Sequence, residues 1–414
     1  MNFGFLSTRF AGTDGVSLEA AKWAEVLAAE DHQCFWFSGL NDRPDDISMC
    51  AEEAFFDHPQ IAAINSRVWQ EGELPDDVSG EIRAMTDRLK KELYEFTRRF
   101  AIDILIPENT LAIPMNIPLG VAITEYLKET GMPAIAHHHD FSWERIRFSK
   151  NCINEILDSC FPPVLPNLIH TVINSPGRDE LKLRRNVESV LIPNVFDFET
   201  PPPPPDEYSS DARHSLGIAD DDIFILQPTR VVPRKGIEHA IKLTRMLDRP
   251  NARLIISHAA GDEGFDYLDG LKKYAREQGV DFRVIPQRIG TSRGTDSDGR
   301  KIYTLWDLYP HCDLVTYPSS YEGFGNALLE AIYFRKPVII NRYRIFVTDI
   351  EPMGFTFASM DGEITAETVA ETNRFLNDPG YRDKVVNENY EIARQNFSYS
   401  VLRDRLNGIL GKIA

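Results

Sequence analysis

Four charged side chains, Arg230, Lys235, Glu322 and Glu330, stand in two short segments that each lie between an apolar run and a helical pattern. The first segment is Gln227-Pro228-Thr229-Arg230-Val231-Val232-Pro233-Arg234-Lys235-Gly236-Ile237. A guanidinium and an ammonium before a helix start, where backbone N–H groups are also unpaired, suit an anion. Together they could neutralise a diphosphate as it departs, with no metal required. The chain has a net charge of −18, so a basic cluster here stands out; an ordinary surface cluster is the plainer alternative. The second segment follows the run 313–318 and reads Ser319-Ser320-Tyr321-Glu322-Gly323-Phe324-Gly325-Asn326, with Glu330 further on inside the helix. Gly323 and Gly325 let backbone amides approach a ligand closely. Glu322 and Glu330 can accept hydrogen bonds from hydroxyls at two separated points of one ligand. Taken alone, a glycine-bearing turn with Glu330 on a solvated face also accounts for it.

A third constellation is Ala134-Ile135-Ala136-His137-His138-His139-Asp140-Phe141. If residues 134–139 continue a strand, His137 and His139 share one face and His138 takes the other. His137, His139 and Asp140 are types that suit zinc or iron. No further ligand cluster accompanies them in the sequence, so no metal is expected. A packed or surface strip of histidines is the remaining alternative.

The elements that must position these residues are short apolar runs alternating with amphipathic stretches, the pattern of parallel α/β sheets. Strands are expected at 1–6, 33–37, 102–106, 134–137, 168–173 and 189–192, then at 223–227, 254–257, 282–285, 314–317, 337–340 and 355–357. A helix is expected from Ser17, and three more near Thr365, Tyr381 and Ser400. Residues 41–79 are acidic and weakly periodic and read as an irregular or helical insertion. Five consecutive prolines at 201–205 favour a stiff extended spacer. The expected architecture is therefore two α/β halves in series, with ligands outside the carboxyl ends of the strands and a cleft between the sheets.

Composition narrows the partners. A surface this acidic repels phosphate backbones and anionic headgroups, so small molecules are expected, and neither nucleic acid nor stable membrane association. The five cysteines, at 34, 50, 152, 160 and 312, form no CxxC pair and read as reduced thiols. The first residues lack a basic, then apolar, leader, and no apolar run approaches the roughly 20 residues of a membrane helix. A cytoplasmic protein is expected.

The two loops together resemble retaining glycosyltransferases of family 4, also called group 1. There a G-R-x-x-x-x-K-G segment is followed downstream by E-G-F-G-x-x-x-x-E. Here Arg230, Lys235-Gly236, Glu322-Gly323-Phe324-Gly325 and Glu330-Ala331 match, with Thr229 where the family has glycine, and Lys336-Pro337-Val338-Ile339 follows. Ile192-Pro193-Asn194-Val195-Phe196-Asp197 is similar to the family's I-P-N-G-V-D, with Val195 in place of glycine. Gly12-Thr13-Asp14-Gly15-Val16 resembles its N-terminal glycine loop. The E-G-F-G-x-x-x-x-E part is the most specific of these.

The resemblance implies a GT-B fold, two Rossmann-like domains facing a cleft. Residues 1–198 would form the acceptor domain, 199–211 the proline-rich linker, and 212–385 the nucleotide-sugar domain, with 386–414 packing back on the first. It implies that Glu330 binds the ribose hydroxyls and that Arg230 with Lys235 holds the diphosphate. Glu322 and the amides of Gly323, Phe324, Gly325 and Asn326 would hold the transferred sugar, with Gly15 also on the donor. Thr8, Asp14, Asp140 and Trp143 would meet the acceptor. His139 would support the sugar during bond breaking, making His139, Glu322, Arg230 and Lys235 the catalytic set. Retention is pictured in the family as same-face attack, with the departing phosphate taking the acceptor proton. No cofactor is implied beyond a nucleotide-diphosphate sugar such as GDP-mannose or UDP-glucose. Segments His138-His139-Asp140-Phe141 and Asn341-Arg342-Tyr343 resemble members making glycosylated compatible solutes, including mannosylglucosylglycerate, so the acceptor class implied includes a glucosylglycerate. A catalytically silent nucleotide-sugar sensor, and an epimerase or hydrolase on the same fold, remain the other readings. Asp296-Ser297-Asp298 imitates the metal-binding D-x-D of the other large glycosyltransferase fold but reads as a solvated loop. Asp220-Asp221-Asp222 reads as a solubilising turn.

Overall fold

A computed structural model describes residues 1–12, 14–259 and 265–413, which separate into two compact units. The first comprises Met1–Asn194 with Tyr399–Ala414, and the second Val195–Ser398.

The first unit opens with β1 (Asn2–Leu6), α1 (Gly15–Ala29), β2 (Gln33–Ser38), β3 (Ser48–Cys50), α2 (Pro59–Val68) and α3 (Asp76–Arg99). It continues with β4 (Ile104–Pro107), α4 (Ile117–Thr130), β5 (Ala134–His138), α5 (Asn154–Cys160), β6 (Leu168–Val172), α6 (Ser175–Arg185) and β7 (Ser189–Leu191). The seven strands lie in the order β3-β2-β1-β4-β5-β6-β7, every pairing parallel. Strands sandwiched between helices read as continuous apolar runs, which is why they are legible in sequence. The helices begin where side chains cap them: the Asp14 carboxylate accepts from the amides of Val16 and Ser17, and Asn116 and Asn174 do the same for α4 and α6. The 41–79 stretch is more ordered than its composition suggests. It holds the edge strand β3, then α2 and the start of α3, whose Val78, Ile82, Met85, Leu89, Leu93 and Phe96 form one buried stripe.

The second unit runs through α7 (Ala212–Ser215), β8 (Ile223–Gln227), α8 (Ile237–Met246), β9 (Ala252–Ile256), α9 (Phe265–Gln278) and β10 (Asp281–Val284). A small hairpin, β11 (Gly294–Thr295) and β12 (Lys301–Ile302), precedes α10 (Leu305–Leu308), β13 (Leu314–Tyr317), α11 (Asn326–Tyr333) and β14 (Val338–Asn341). Then come β15 (Ala358–Met360), α12 (Ala366–Asn377) and α13 (Pro379–Phe397). Its parallel sheet has the order β10-β9-β8-β13-β14-β15. The last helix, α14 (Tyr399–Ile413), belongs to the first unit, where it contacts α1: the Tyr399 hydroxyl donates to Glu25 at 2.8 Å. The unit boundary thus falls at Asn194, before the proline run, and α13 stays with the second unit although it crosses residue 386.

Several sequence readings need correction. Residues 355–357 form no strand; Phe355 and Phe357 stack on each other, Phe355 also packs on Phe397 of α13, and β15 begins one residue later. The loop reading of Asp296-Ser297-Asp298 stands: the segment is the exposed turn of the β11–β12 hairpin, where Asp296 accepts the Asp298 and Arg300 amides and pairs with the Arg300 side chain. Asp222 is buried and bound to Arg253 at 2.8 Å, so that run is more than a solubilising turn. All five cysteines are free thiols. Among the described residues no helix is long and apolar enough to cross a membrane.

Candidate active site

In the second sheet the chain builds outward from β8 through β9 to β10, then returns to place β13 on the other side of β8. Such a reversal leaves a crevice at the carboxyl ends of the two central strands. β8 ends at Gln227 and β13 at Tyr317, so the two charged segments seen in the sequence leave neighbouring strands at the same edge. They touch through backbone. Gly236 has φ +59°, and a Cβ there would lie 2.4 Å from the Pro318 carbonyl oxygen. The Ser320 amide donates to the Arg234 carbonyl at 2.8 Å. Beneath them the buried Gln227 amide donates to the Lys235 carbonyl at 3.0 Å and to Thr229 Oγ1 at 3.2 Å, and accepts from Thr316 Oγ1 at 3.3 Å.

This framework brings Lys235 Nζ onto Glu322 Oε1, while Arg234 Nη1 lies 3.2 Å from Glu322 Oε2 and 3.1 Å from the Tyr321 carbonyl. Lys235 is buried, not part of a surface cluster, and its ammonium lies 5.5 Å from the Tyr317 ring centre. Burial works to raise the Glu322 carboxyl, but the charges of Lys235 and Arg234 outweigh it and hold the group below its ordinary value. Burial pulls the Lys235 ammonium down, with Glu322 opposing. Arg230 is exposed on the same loop. Its charge, with that of Lys235, adds to burial in lowering His258, which follows β9 and which sequence reasoning missed.

Glu330 accepts from the Tyr309 hydroxyl at 3.1 Å, and burial, then the Glu330 charge, pushes that phenol upward. Gly325 caps α11 at φ +134°, where a Cβ would sit 2.7 Å from Tyr343 Oη. That hydroxyl donates to the Phe324 carbonyl at 2.6 Å, and Asn341 Nδ2 donates to the Ser319 carbonyl at 3.0 Å. The 318–326 backbone is thereby pinned from below, with Asn326 as the first residue of the helix. A rigid amide-bearing loop, two adjacent cations and two carboxylates can receive an anion beside a polyol.

In the first unit the sheet reverses between β1 and β4. Glu108 follows β4 and the histidine run ends β5, which stops at His138, one residue short of His139. His137 and His139 do share a face. Glu108 Oε2 lies 2.9 Å from His137 Nδ1 and 3.3 Å from His139 Nε2. His138 points the other way, its Nε2 2.9 Å from His170 Nδ1. Trp23 of α1 stacks on His137 with ring centres 4.1 Å apart. Asn109 Oδ1 accepts the His139 amide at 3.0 Å, and its Nδ2 donates to Asp140 at 2.9 Å, which pairs with Arg145. Burial pushes the Glu108 carboxyl up to about 7 and pulls His137 and His170 down to about 4. Burial also lowers His139, and His138 falls well below the ordinary histidine value. Glu108 was not singled out in the sequence. The only signal was a charged residue directly after the apolar strand 104–107.

The other expected positions lie along the same carboxyl edge, after β1 and β5. The Thr8 carbonyl accepts the Gly39 amide at 3.2 Å; Asp14 caps α1 and pairs with Arg9 at 3.1 Å. Gly15 is the exposed first residue of α1, and Thr13 lies outside the described residues. Trp143 stacks on Phe141 at 4.5 Å, with the Arg184 guanidinium 5.4 Å from its ring. Among the described residues Glu108, His137 and His139 are the group whose ligand atoms, all within 4.8 Å of one another, could hold a metal ion. Asp140, weighed as a ligand in the sequence, is instead bound to Asn109 and Arg145.

The sequence pattern of the glycosyl transferases group 1 matches residues 298–392. Mannosylglucosylglycerate synthase of Thermotoga maritima is 32% identical over 440 aligned positions, covering 98% of this chain and 99% of that one. The enzyme of the same name from Petrotoga mobilis is 32% identical over 395 positions, covering 89% and 88%. Among solved structures, sucrose-phosphate synthase of Thermosynechococcus elongatus superposes with a TM-score of 0.67 at 15% identity, over 100% of this chain and 98% of that one. Together with other structures of the kind, it marks the fold as GT-B.

Proposed function

The chain belongs to the group 1 glycosyltransferases, and on that premise we propose that it moves a mannosyl group from GDP-mannose, or another hexosyl from a related nucleotide-diphosphate sugar, to a glucosylglycerate-like acceptor. The observation that carries the reading is the end-to-end 32% identity with an enzyme named for making mannosylglucosylglycerate.

In this reading Arg230 and Lys235 receive the diphosphate and Glu330 the ribose hydroxyls. Glu322 and the amides of Gly323, Phe324, Gly325 and Asn326 hold the transferred sugar. The acceptor hydroxyl attacks the anomeric carbon on the face the diphosphate leaves. The bond from that carbon to the phosphate oxygen breaks as the new glycosidic bond forms, and the hydroxyl proton passes to the departing phosphate. Lys235 and Arg230 favour this by neutralising the charge that grows on the leaving group. Support comes from Lys235, Arg234 and Glu322 gathering at one strand-order reversal, beside the helix start that carries the glycine loop. Gly15, Thr8, Asp14, Asp140, Trp143 and His139 keep the roles the resemblance implies.

The test crosses GDP-mannose and UDP-glucose with glucosylglycerate and glycerate, reading product mass and the one-bond coupling between the anomeric carbon and its proton. An α-linked mannosyl product from the α-linked donor is expected. A β-linked product would overturn retention. Donor consumption that ignores the acceptor would favour a hydrolase, and binding without turnover for every pair would favour a silent sensor.

A further inference from the structure

Glu108 is buried against two histidines and meets both through a single oxygen: Oε2 lies 2.9 Å from His137 Nδ1 and 3.3 Å from His139 Nε2. Two arrangements fit such spacings, a metal ion held by all three residues or two N–H groups donating to one carboxylate oxygen. The far nitrogen of His137 decides between them. That atom, Nε2, is buried and has no hydrogen-bond partner among the described residues. If Nδ1 bound a metal, Nε2 would carry the ring proton, a buried donor with nothing to receive it, whereas metal-bound imidazoles hand that proton to a carboxylate or carbonyl. With the proton on Nδ1, Nε2 is a bare lone pair, and an unsatisfied acceptor is the lesser cost. In that arrangement His137 donates from Nδ1 to Glu108 Oε2. The 3.3 Å separation from the second ring is long for a carboxylic O–H donor and within reach of an N–H, so His139 also donates, from Nε2.

We propose that Glu108 is a positioning residue which, by accepting from both rings at one oxygen, fixes His137 and His139 in opposite tautomers, so that His139 presents a bare Nδ1 to accept a hydrogen bond from a substrate hydroxyl. The surroundings hold this arrangement. Trp23 stacks on His137, Asn109 fixes the His139 backbone, and Arg145 and Asn109 occupy the neighbouring Asp140. The charge of Glu19 of α1, which pairs with Lys22 at 2.9 Å, acts on both Glu108 and His137. His139 is the ring a ligand reaches: 10% of its side chain is exposed against 1% for His137. A histidine fixed as an acceptor selects a hydroxyl over a carbonyl or phosphate oxygen at that point, a specificity the bare sequence does not state.

That a substrate sugar meets His139 rests on the function proposed above; the tautomers do not, and the experiment separates the two. Nitrogen-15 NMR of the full chain at pH 8, without substrate, should show His137 protonated at Nδ1 and His139 at Nε2. Glu108→Gln and Glu108→Ala should each shift His139 toward the other tautomer, and Glu108→Asp should partly restore the wild-type pattern. With donor and acceptor, Glu108→Gln should lower kcat about tenfold while nucleotide affinity stays near wild type. A wild-type His139 protonated at Nδ1 would overturn the proposal whatever the enzyme transfers. So would zinc that co-purifies and is lost in His137→Ala. Predicted tautomers with unchanged kcat in Glu108→Gln would uphold the positioning and refute the contact with substrate.

Discussion

Replacing Lys235 with methionine removes the ammonium while nearly keeping the side-chain length. Both members of the Lys235–Glu322 pair are largely buried, with 11% and 10% of their side chains exposed, so the change strands a carboxylate in a poorly solvated place. Breaking a buried pair by losing one member costs about 3–5 kcal/mol. Arg234 remains 3.2 Å from Glu322 Oε2 and keeps part of the neutralisation. The expected loss therefore lies at the low end, about 3 kcal/mol. Glu322→Leu should cost a similar amount, about 3 kcal/mol, because Lys235 then faces Arg234 with no carboxylate between them. Exchanging both, in K235M/E322L, replaces the pair by apolar groups and should cost much less than the sum. Scanning calorimetry of the full chain measures the loss, and both residues lie in the unit Val195–Ser398. A domain of about 150–250 residues moves by roughly 2–4 °C per kcal/mol, so each single variant should melt about 6–12 °C lower, and the double variant far less. All three should fail to transfer sugar, which separates the pair's part in stability from its part in binding. Additive shifts in the double variant, or single variants that melt with the wild type, would refute the coupling.

Four further outcomes follow from the same geometry. His139→Ala should fold normally, bind donor nearly as wild type and transfer at least roughly tenfold more slowly, whereas His138→Ala should mainly lower stability, by about 1–3 kcal/mol, because His170 loses its partner; the reverse pattern in kinetics and melting would reject the assignment. Glu330→Ala should weaken nucleotide binding by about 1.5–3 kcal/mol, and the Tyr309 hydroxyl left without its acceptor should lower the melting temperature as well; titration calorimetry showing unchanged nucleotide affinity would contradict the ribose role. A chelator should leave transfer largely intact, and complete loss with recovery on adding a divalent ion would return the Glu108, His137 and His139 group to the status of ligands. Stability should fall as pH drops from 6.5 to about 4: His137 and His170 are held down to about 4 in the folded chain, so between those values the unfolded chain binds more protons. Each contributes about 3 kcal/mol across that window, and Glu108, raised to about 7, works in the opposite direction between 4.5 and 7. Urea midpoints that do not decline below pH 6.5 would contradict the buried neutral histidines.

The parts legible in the sequence were those encoded locally. Apolar runs of four to six residues are the signature of strands covered on both faces, so β8 and β13 were placed to the residue and most others within two. The glycine loops, the helix starts and the alternation of His137, His138 and His139 across a strand follow from backbone periodicity alone. Local pattern failed where packing overrode it. Phe355 and Phe357 look like a strand, yet they fill a space against α13. The acidic 41–79 stretch, read as irregular or helical, holds α2 and only the first residues of α3, so most of the apolar stripe that marks that helix lies beyond it.

What only the tertiary structure decided is which charges meet. Lys235 and Glu322 stand out in separate loops of the sequence, 87 positions apart, with nothing local to pair them. They become a buried ion pair because the chain leaves β8, builds two strands outward, and returns to set β13 directly beside it. Glu108 meets His137 and His139 for the same reason, since β4 and β5 are neighbours and their carboxyl ends coincide. Charge type and helix-start chemistry are properties of a short segment. Burial and pairing, which set what those charges can do, are properties of strand order.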